Sequence, residues 1–466
     1  MAKRSTKNAD TKVAPTLEQS VVSSINSIGS IDSKDLNDSN EIEKVEKSRV
    51  VKGKSKVEEI SDDKIEDKIE TKLNEKEIVV QESGTKIKTE KTPKNGKVIK
   101  HKYPDKIDYR LEQIRFKLTY EKVDGVYVSY LPNIRYLTNF SGSDAHLFIF
   151  QEEIIFVTDD RYEEQVKTEL YDLPNISVHI SRDVWDLAAK IGILDRFNEI
   201  AFEADKLPYQ DAVEIRNRIR PVKFKPTPEL VEPTTIAKAP EELEYITKSC
   251  ELSERVFLLM LNYIKPGMTE KEVAIEIAHE SRKLGSEGDA FDIIVTSGNR
   301  GAFVHGQPTD KKIRKGDIVI IDFGTKINGF CSDITRTICV GAKPTKEQKS
   351  IYALLRNAQM KAIKAIRPGM NGKILDRVAR SVIEEAGYGE YFKHSLGHGL
   401  GLVPHEKPII TFRKDDQNIP EESVLAIEPG IYIPEKFGMR IEDNVFVTKN
   451  GAIMLTNAPE ELLYIL

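Results

Sequence analysis

Aromatic residues and cysteine are absent from the first 102 residues of this 466-residue chain. Acidic and basic residues alternate there, as in the run SDDKIEDKIETKLNEKE. Such a segment cannot bury enough apolar surface to offset the entropy lost on folding, so the composition predicts a disordered charged extension over residues 1–103. Residues 1–100 carry 21 basic and 19 acidic side chains, so there is no strong basic field. The KGKSK run near Lys52 favours nucleic-acid binding or nuclear import as the alternative, but acidic residues surround it, and we expect a solvated tail without a partner.

Long apolar runs and cysteine motifs are also missing. No stretch approaches the roughly 20 apolar residues of a membrane-spanning helix, and no apolar segment follows the start MAKRSTKNADTKVAP, so we expect neither a membrane protein nor a secreted one. A transit peptide is the alternative for this start, although Arg4 is the one arginine in its first thirty residues. Cys250, Cys331 and Cys339 show no CxxC spacing, which is typical of a reducing compartment, and we expect a cytoplasmic protein.

Hydrophobic periodicity begins at Tyr103, and the segment 107–231 predicts a small α/β domain. A helical pattern such as 162–170 alternates there with short apolar runs typical of strands. The predicted strands are 126–130, 147–150, 154–158, 176–180 and 200–203. Prolines at 221, 226, 228 and 233 then interrupt the pattern and are typical of a linker.

The segment 234–466 predicts a second domain of helices followed by strands, which makes the fold class α+β. Thr269 with Glu272, and Thr345 with Gln348, are capping-box patterns that mark helix starts. Two further helices are predicted over 241–263 and around 374–383, and strands are predicted over 318–323, 330–340, 425–433 and 440–448.

The segment IVIIDFGTKINGFCSDITRTICV is the most informative local stretch. Its Asn-Gly pair at 328–329 predicts a tight hairpin turn, because both central positions of such a turn need positive φ. Asp322 then lies opposite Thr335 and Asp333 opposite Gly324, so the two aspartates share one face. Aspartates at strand ends often belong to turns, but two of them on one apolar hairpin favour a shared metal, since burying unpaired carboxylates is costly.

Three histidines, His394, His398 and His405, lie in the segment HSLGHGLGLVPHE. The glycines around His398 let backbone and metal approach closely. A phosphate-binding loop is excluded because no Lys-Ser/Thr pair follows. A lone histidine is more often structural, but beside the aspartates we favour His398 as a metal ligand.

Two glutamates complete the candidate set: Glu428 in LAIEPGIYI and Glu442 in MRIEDNVFV. In one continuous strand Arg440, Glu442 and Asn444 point the same way. Arg440 is a surface cation in the alternative interpretation. We favour instead a position on the same side as the ligands, where Arg440 would hydrogen-bond a ligating carboxylate and orient it. We assign Thr335 the same role.

Four carboxylates in one site repel each other strongly unless cations lie between them. They contribute four negative charges and two divalent cations four positive ones, so the charges balance. Oxygen ligands with a single imidazole favour Mn²⁺ first, with Co²⁺, Zn²⁺ or Fe²⁺ as alternatives. The predicted ligands are Asp322, Asp333, His398, Glu428 and Glu442.

Seven motifs, in this order, resemble those of the Xaa-Pro peptidases, aminopeptidase P and prolidase, of the pita-bread metallopeptidase family. They are VHG at 304–306, DFG with Asp322, SDITRT with Asp333, HSLGHGLG with His398, HE at His405, EPGIY with Glu428 and RIED with Glu442. NIRYLTNFSG and TDDRYEEQ resemble the amino-terminal, creatinase-like domain of these enzymes, so the resemblance covers roughly 108–466. The departures are small: Val304 stands where proline is common, Phe330 where tyrosine is common and Asn139 where glycine is frequent.

The resemblance implies a pita-bread catalytic metallopeptidase domain over 234–466 behind the creatinase-like α/β domain over 107–231. It implies that Asp322 binds one ion, that Asp333 and Glu442 bridge both, and that His398 with Glu428 completes the second.

The resemblance also implies catalytic roles for Glu428, His305 and His405. Glu428 would accept the proton of the attacking water, and the two histidines would hold the scissile carbonyl and help protonate the proline nitrogen. His305, His394 and His405 would face the substrate.

The implied reaction is hydrolysis of the bond before proline in proline-containing peptides. We favour an Xaa-Pro aminopeptidase, with an Xaa-Pro dipeptidase (prolidase) as the alternative, because the metal motifs do not set substrate length. A non-catalytic binding scaffold is the alternative from a different class, and the intact ligand positions oppose it. The family implies a homodimer, and we expect no nucleic-acid or membrane partner.

Overall fold

The computed structural model describes residues 106–414 and 417–466. The extension expected to be disordered, residues 1–103, lies outside the described residues. Within the described part, helices and sheets mix in the manner of an α+β protein. No helix in that part combines the length and the apolar character needed to cross a bilayer.

A six-stranded mixed sheet organises the first part of the described chain. Its strands are β1 (Gly125–Val128), β2 (His146–Phe150), β3 (Ile154–Thr158), β4 (Ile176–Ile180), β5 (Glu199–Glu203) and β6 (Lys223–Thr227). The order is β4-β3-β2-β1-β5-β6, with β3/β4, β1/β5 and β5/β6 parallel. The accompanying helices are α1 (Ile107–Glu121), α2 (Leu131–Thr138), α3 (Val166–Glu169), α4 (Val184–Lys190), α5 (Ile193–Arg196) and α6 (Tyr209–Arg218).

The five strands predicted for this part are all present. β1, β2, β3 and β5 are buried at nearly every position, which explains why they read as continuous apolar runs. A cluster of aromatic rings, including Tyr127, Phe148, Trp185 and Phe224, fills the space on one side of the sheet.

Two predictions for this part were wrong. The helix predicted over 162–170 is reduced to the four residues of α3, because Val166 is the one buried residue of that stretch and offers too little apolar surface to hold a longer helix. The proline-rich passage predicted as a linker contains β6, which pairs with β5 and includes Pro226. β6 is the edge strand of its sheet, where a missing N–H is tolerated.

The second part of the chain contains two larger sheets with helices packed against them. Its helices are α7 (Pro240–Tyr263), α8 (Glu270–Lys283), α9 (Lys346–Ala365) and α10 (Gly372–Glu385). Its strands are β7 (Ile294–Ser297), β8 (Asp317–Phe323), β9 (Lys326–Ile327), β10 (Phe330–Cys331), β11 (Ile334–Val340), β12 (Gly397–Gly399), β13 (Glu406–Ile410), β14 (Val424–Ile427), β15 (Gly430–Ile433), β16 (Phe437–Arg440), β17 (Asp443–Thr448), β18 (Gly451–Met454) and β19 (Leu463–Ile465).

The two larger sheets have the strand orders β19-β11-β8-β7 and β13-β12-β14-β17-β18, and β9/β10 and β15/β16 form two short ribbons. One hydrophobic cluster joins α7 and α8 to the first sheet through residues such as Val256, Ile277 and Ile321. A second cluster joins α9 and α10 to the second sheet through residues such as Leu355, Ile383 and Leu425. The site described below lies where the two sheets meet.

Both predicted capping boxes are confirmed. The Thr269 hydroxyl accepts the Glu272 N–H at 3.1 Å, and the Thr345 hydroxyl accepts the Gln348 N–H at 3.2 Å. Each glutamate or glutamine side chain bonds back to the threonine N–H, so two otherwise unpaired helix donors are satisfied at each start.

The predicted hairpin register is the one observed. Asn328 and Gly329 both have positive φ, and Thr335 pairs with Asp322. Gly324 lies beside the opposing strand so closely that an added Cβ would overlap the Ser332 carbonyl oxygen. The turn chemistry therefore sets the relative position of the two aspartates.

Three predicted strands are interrupted, and each interruption coincides with a candidate ligand. The run 330–340 breaks before β11 at Asp333, the run 425–433 breaks between β14 and β15 at Glu428, and the run 440–448 breaks between β16 and β17 at Glu442. The Glu442 N–H donates to Thr335, so this backbone leaves its ladder, whereas the Glu428 N–H donates to Leu396 in the register of the β12–β14 pair. The expectation of one continuous strand carrying Arg440, Glu442 and Asn444 was wrong.

Candidate metal centre

Two acidic side chains come from the hairpin formed by β8 and β11. Asp322 lies one residue before the end of β8, and Asp333 lies one residue before the start of β11. Both are buried, with 6% and 4% of their surface exposed. The Asp333 N–H donates to the Asn444 side-chain oxygen at 3.0 Å, which fixes the backbone where the strand is interrupted.

The second sheet supplies His398 from β12 and the two glutamates at its interruptions. The His398 Nδ1 donates to the Gly399 carbonyl at 3.1 Å, so Nε2 keeps its lone pair. That nitrogen lies 3.8 Å from Asp333 Oδ2 and 3.7 Å from Glu428 Oε1. A neutral imidazole nitrogen therefore points at two carboxylates, which is the orientation of a metal-ligating histidine.

The five predicted ligands lie together, in overlapping groups whose donor atoms are within 4.8 Å of one another. The groups are Asp322–Asp333–Glu442, His398–Glu428–Glu442 and Asp333–His398–His405. The first two groups share Glu442 and define two neighbouring positions. The third adds His405, whose ring centroid lies 4.1 Å from that of His398 and which the sequence assigned to substrate contact rather than to the ligand set.

Without bound cations, burial and mutual repulsion disfavour the ionised form of these carboxyl groups. Burial first, and neighbouring carboxylates second, raise the pKa of Asp333 and Glu428 well above their ordinary values and the pKa of Glu442 to about 8. Burial, with His405 beside it, lowers the pKa of His398 to about 3, which keeps the ring neutral. Cations between these groups would remove the repulsion.

Asp322 provides a test of whether the cluster suits a metal. Its Oδ2 pairs with Arg440, whereas its Oδ1 is buried and has no hydrogen-bond partner in the described part of the chain. A buried carboxylate oxygen without a donor is expensive unless an ion takes the donor's place. Together with three further carboxylates and one imidazole, this oxygen makes a donor set that fits divalent cations.

Arg440 and Thr335 lie behind the acidic groups and connect them. The Arg440 guanidinium pairs with Asp322 and donates through Nε to the Thr335 hydroxyl at 3.1 Å. That hydroxyl donates to Glu442 Oε2 at 2.7 Å. Arg440 is 2% exposed, so it is no surface cation, and the chain of bonds orients one carboxylate from each sheet.

Tyr432 joins Arg440 to His394, a connection that the sequence did not reveal. The Tyr432 hydroxyl accepts from Arg440 at 2.6 Å and lies 2.9 Å from His394 Nε2. The His394 Nδ1 donates to the Ser395 carbonyl at 2.8 Å, so Nε2 is the acceptor for the tyrosine hydroxyl. Burial, and Arg440 next, lower the pKa of His394 to about 3. No local sequence pattern signals this contact, because its partners come from separate elements.

The three histidines assigned to substrate contact lie differently. His305 and His405 are exposed, and His394 is partly buried, with its Nδ1 3.9 Å from Glu428 Oε2. His305 follows Val304, whose carbonyl accepts from Arg440 at 3.2 Å, so its backbone is tied to the site. The cluster of carboxylates is thus buried on one side and bordered by imidazoles on the other.

Two family models match most of the described chain. The model of the Creatinase/Prolidase N-terminal domain matches residues 110–234, and that of metallopeptidase family M24 matches residues 244–449, which include all five candidate ligands. The Xaa-Pro dipeptidase of Pyrococcus furiosus is 36% identical over 356 residues, or 76% of this chain and 99% of that protein. The chain belongs to metallopeptidase family M24.

Solved structures of similar peptidases agree with this assignment. An Xaa-Pro dipeptidase from Bacillus anthracis superposes with a TM-score of 0.72 at 36% identity, covering 77% of this chain and 99% of its own. An X-Pro aminopeptidase from Thermotoga maritima superposes with a TM-score of 0.70 at 36% identity, covering 76% and 99%. The expected pita-bread domain behind a creatinase-like domain is thereby confirmed, and M24 membership implies divalent metal ions.

Proposed function

We propose that this M24 protein hydrolyses the peptide bond before proline in Xaa-Pro dipeptides. The observation that carries the proposal is the convergence of four carboxylates and one neutral imidazole at the junction of two sheets, with Asp322 Oδ1 left without a donor. Relatives at 36% identity that bear the name Xaa-Pro dipeptidase support the choice of bond and of substrate length.

A longer substrate is the second candidate. From the sequence we favour an Xaa-Pro aminopeptidase, and the X-Pro aminopeptidase structure from Thermotoga maritima resembles this chain about as closely as the dipeptidase structures do. We place the dipeptide first because the dipeptidase name recurs among the most similar proteins and structures. The two activities differ in the room beyond the proline, so they are separable by assay.

We propose two divalent cations, Mn²⁺ first, at the two neighbouring positions. Asp322 would hold one, Asp333 and Glu442 both, and His398 with Glu428 the other. When bound, the cations supply an activated water and a positive charge for the carbonyl oxygen. Thr335 and Arg440 keep the carboxylates in their orientations through the bonds described above.

The remaining chemistry is assigned to side chains at the border of the cluster. The Glu428 side chain is 19% exposed and adjoins both His394 and His398. It is therefore placed to accept the proton of the attacking water. His405 and His305 reach solvent and would hold the scissile carbonyl and deliver a proton to the proline nitrogen. His394, with Tyr432 behind it, donates no proton at neutral pH and would contact the peptide as a neutral ring.

A binding scaffold without catalysis remains the alternative from a different class. Such a protein has no need for five metal-type donors within a few ångströms, and the intact cluster opposes it. A homodimer and a cytoplasmic location stay predictions from the sequence.

One assay panel tests the proposal. Purified protein is treated with chelator, reloaded with Mn²⁺, Co²⁺ or Zn²⁺, and offered Ala-Pro, Ala-Pro-Ala and Ala-Ala. We expect metal-dependent release of alanine from Ala-Pro and no cleavage of Ala-Ala. Cleavage of Ala-Pro-Ala with no cleavage of Ala-Pro would replace the dipeptidase by the aminopeptidase. Absence of both metal binding and hydrolysis would favour the scaffold.

A further inference from the structure

A single buried carboxylate, Glu270, holds the loop that carries His305. Glu270 is the first residue of α8 and is fully buried. Its Oε1 accepts the backbone N–H of Ser297 at 2.8 Å and the Ser297 hydroxyl at 2.9 Å. Its Oε2 accepts the Thr309 N–H at 3.1 Å, the Thr309 hydroxyl at 2.8 Å and Arg300 Nε at 3.0 Å. Five donors therefore converge on one side chain.

Ser297 and Thr309 are the two ends of one segment, residues 297–309, which we name the His305 loop. The Glu270 carboxylate accepts hydrogen bonds from both ends, so it connects the end of β7 to the segment that leads to β8. A buried anion is stable only while its donors stay in place, because losing them leaves a charge without solvent or partner. Glu270 is therefore the side chain that bonds both loop ends at once. Further bonds hold each end separately: Ser297 pairs with Val319 of β8, and the Thr309 carbonyl accepts the Lys271 N–H.

The middle of the His305 loop is fixed against β16. Gly301 approaches Gly438 backbone to backbone, and a Cβ on Gly301 would lie 2.8 Å from the Gly438 nitrogen. Three residues later the Val304 carbonyl accepts from Arg440, the same residue that pairs with Asp322. The loop backbone is thus connected to the acidic cluster.

Two side chains near the middle of this loop, those of Phe303 and His305, are exposed. The exposed fraction of Phe303 is 56%. A large apolar residue and an imidazole in solvent, on a backbone held at both ends and in the middle, have the character of a surface that meets a ligand.

We propose that Glu270 is a positioning residue for the peptidase reaction: it acts through the His305 loop to place His305 at the substrate. This inference rests on the proposed function. Glu270 itself touches neither the ligand cluster nor the exposed face of the loop among the bonds described. The competing explanation is a purely structural role for Glu270 at the start of α8.

The variant Glu270→Gln tests the proposal, because it keeps the shape but replaces one acceptor oxygen by an NH₂ group that faces donors. We expect kcat/KM for Ala-Pro to fall by about 10- to 100-fold, the scale of a misplaced catalytic group, with bound metal unchanged. In a His305→Ala background the same substitution should lower kcat/KM by less than about threefold, since the group it positions is gone. An equal loss in both backgrounds would refute the proposal.

Amide hydrogen exchange supplies a readout that does not depend on activity. In Glu270→Gln we expect faster exchange over residues 298–308 and unchanged exchange in β8 and β17. The matched control is Glu203→Gln, which alters another buried, donor-surrounded carboxylate and should leave the His305 loop and kcat/KM unchanged. If Glu270→Gln fails to fold, Thr309→Val removes a single hydroxyl donor and should give the same pattern at smaller size.

These outcomes separate the two proposals. Wild-type protein that cleaves no Xaa-Pro peptide contradicts the proposed function, whereas unchanged exchange in the His305 loop of Glu270→Gln contradicts the holding role of Glu270 whatever the substrate is.

Discussion

At the scale of single residues, the Asp333 carboxylate contributes to metal binding but lowers the stability of the metal-free fold. It belongs to two of the three donor groups, and burial with neighbouring carboxylates raises its pKa. We expect Asp333→Asn to abolish hydrolysis and to reduce bound metal. Without metal the same change should stabilise the protein by about 1–2 kcal/mol, because the variant no longer buries a carboxyl group whose ionised form is disfavoured by burial and by the neighbouring carboxylates. Chemical unfolding with and without chelator measures both effects, and a destabilised metal-free variant would contradict this account.

Glu203 gives a pH dependence that is independent of the metal ligands. It accepts from the Ser129 and Tyr130 N–H groups and from Asn133, and it is 1% exposed. Burial raises the pKa of Glu203 from 4.5 to about 7, so the fold favours its neutral form. The associated stability is fully present below pH 4.5 and is lost as pH rises through 7.

The measurement for Glu203 is the difference between wild type and Glu203→Gln, which cannot ionise. Between pH 4.5 and pH 8 the free energy of unfolding of wild type should fall relative to the variant by about 3 kcal/mol. A difference that stays constant over this range would show that Glu203 is ionised in the fold at every pH tested.

At the scale of elements, the β8–β11 hairpin depends on a glycine that leaves space for the opposing strand. A Cβ at Gly324 would overlap the Ser332 carbonyl oxygen and lie 2.8 Å from the Ala290 Cβ. We expect Gly324→Ala to lower the free energy of unfolding by about 2–4 kcal/mol and to reduce metal affinity, since the backbone beside Asp333 must shift.

The matched control for Gly324 is Gly288→Ala, where an added Cβ meets no atom within 4 Å. That substitution should change stability by less than about 0.5 kcal/mol. Equal effects at the two positions would mean that the crowding at Gly324 is relieved without cost, and unfolding curves of the two variants decide this.

Local patterns predicted much of these elements. The Asn-Gly turn gave the hairpin register, the capping boxes gave two helix starts, and the ligand motifs gave all five residues that converge. Strand interruptions were missed because period-two patterns continue through Asp333, Glu428 and Glu442. The Asp333 and Glu442 N–H groups find their partners, Asn444 and Thr335, in distant parts of the chain. The Tyr432–His394 bond and the donors of Glu270 were missed for the same reason: such contacts have no local signal.

At the scale of the whole molecule, a buried ion pair connects the two parts of the described chain. Arg110 of α1 pairs with Glu242 of α7, both nearly unexposed, and also donates to the Tyr136 carbonyl at 3.0 Å. We expect Arg110→Met to cost about 3–5 kcal/mol, because it leaves the Glu242 carboxylate buried and unpaired.

The double variant Arg110→Met with Glu242→Gln is the control for this pair. It removes both charges while the Gln side chain can still accept the Ala239 N–H, and it should recover most of the lost stability. Additive losses in the double variant would mean that the pair is not coupled.

The charged extension should be dispensable for catalysis. Residues 1–102 have no aromatic side chain with which to build a core, and the family models begin at residue 110. We expect a protein that starts at residue 103 to keep kcat and KM for Ala-Pro within about twofold of the full chain. A large fall in kcat with intact metal binding would place the extension in the enzyme.

The contact between Gly301 and Gly438 has a consequence in evolutionary terms. Each position excludes a side chain because of the other, so a substitution at either one is acceptable only after the His305 loop and β16 have moved apart. We therefore expect Gly301 and Gly438 to change together during evolution, although 137 positions of sequence separate them. Relatives that keep one glycine should keep both, and relatives that have lost one should have rebuilt the loop that carries the histidine.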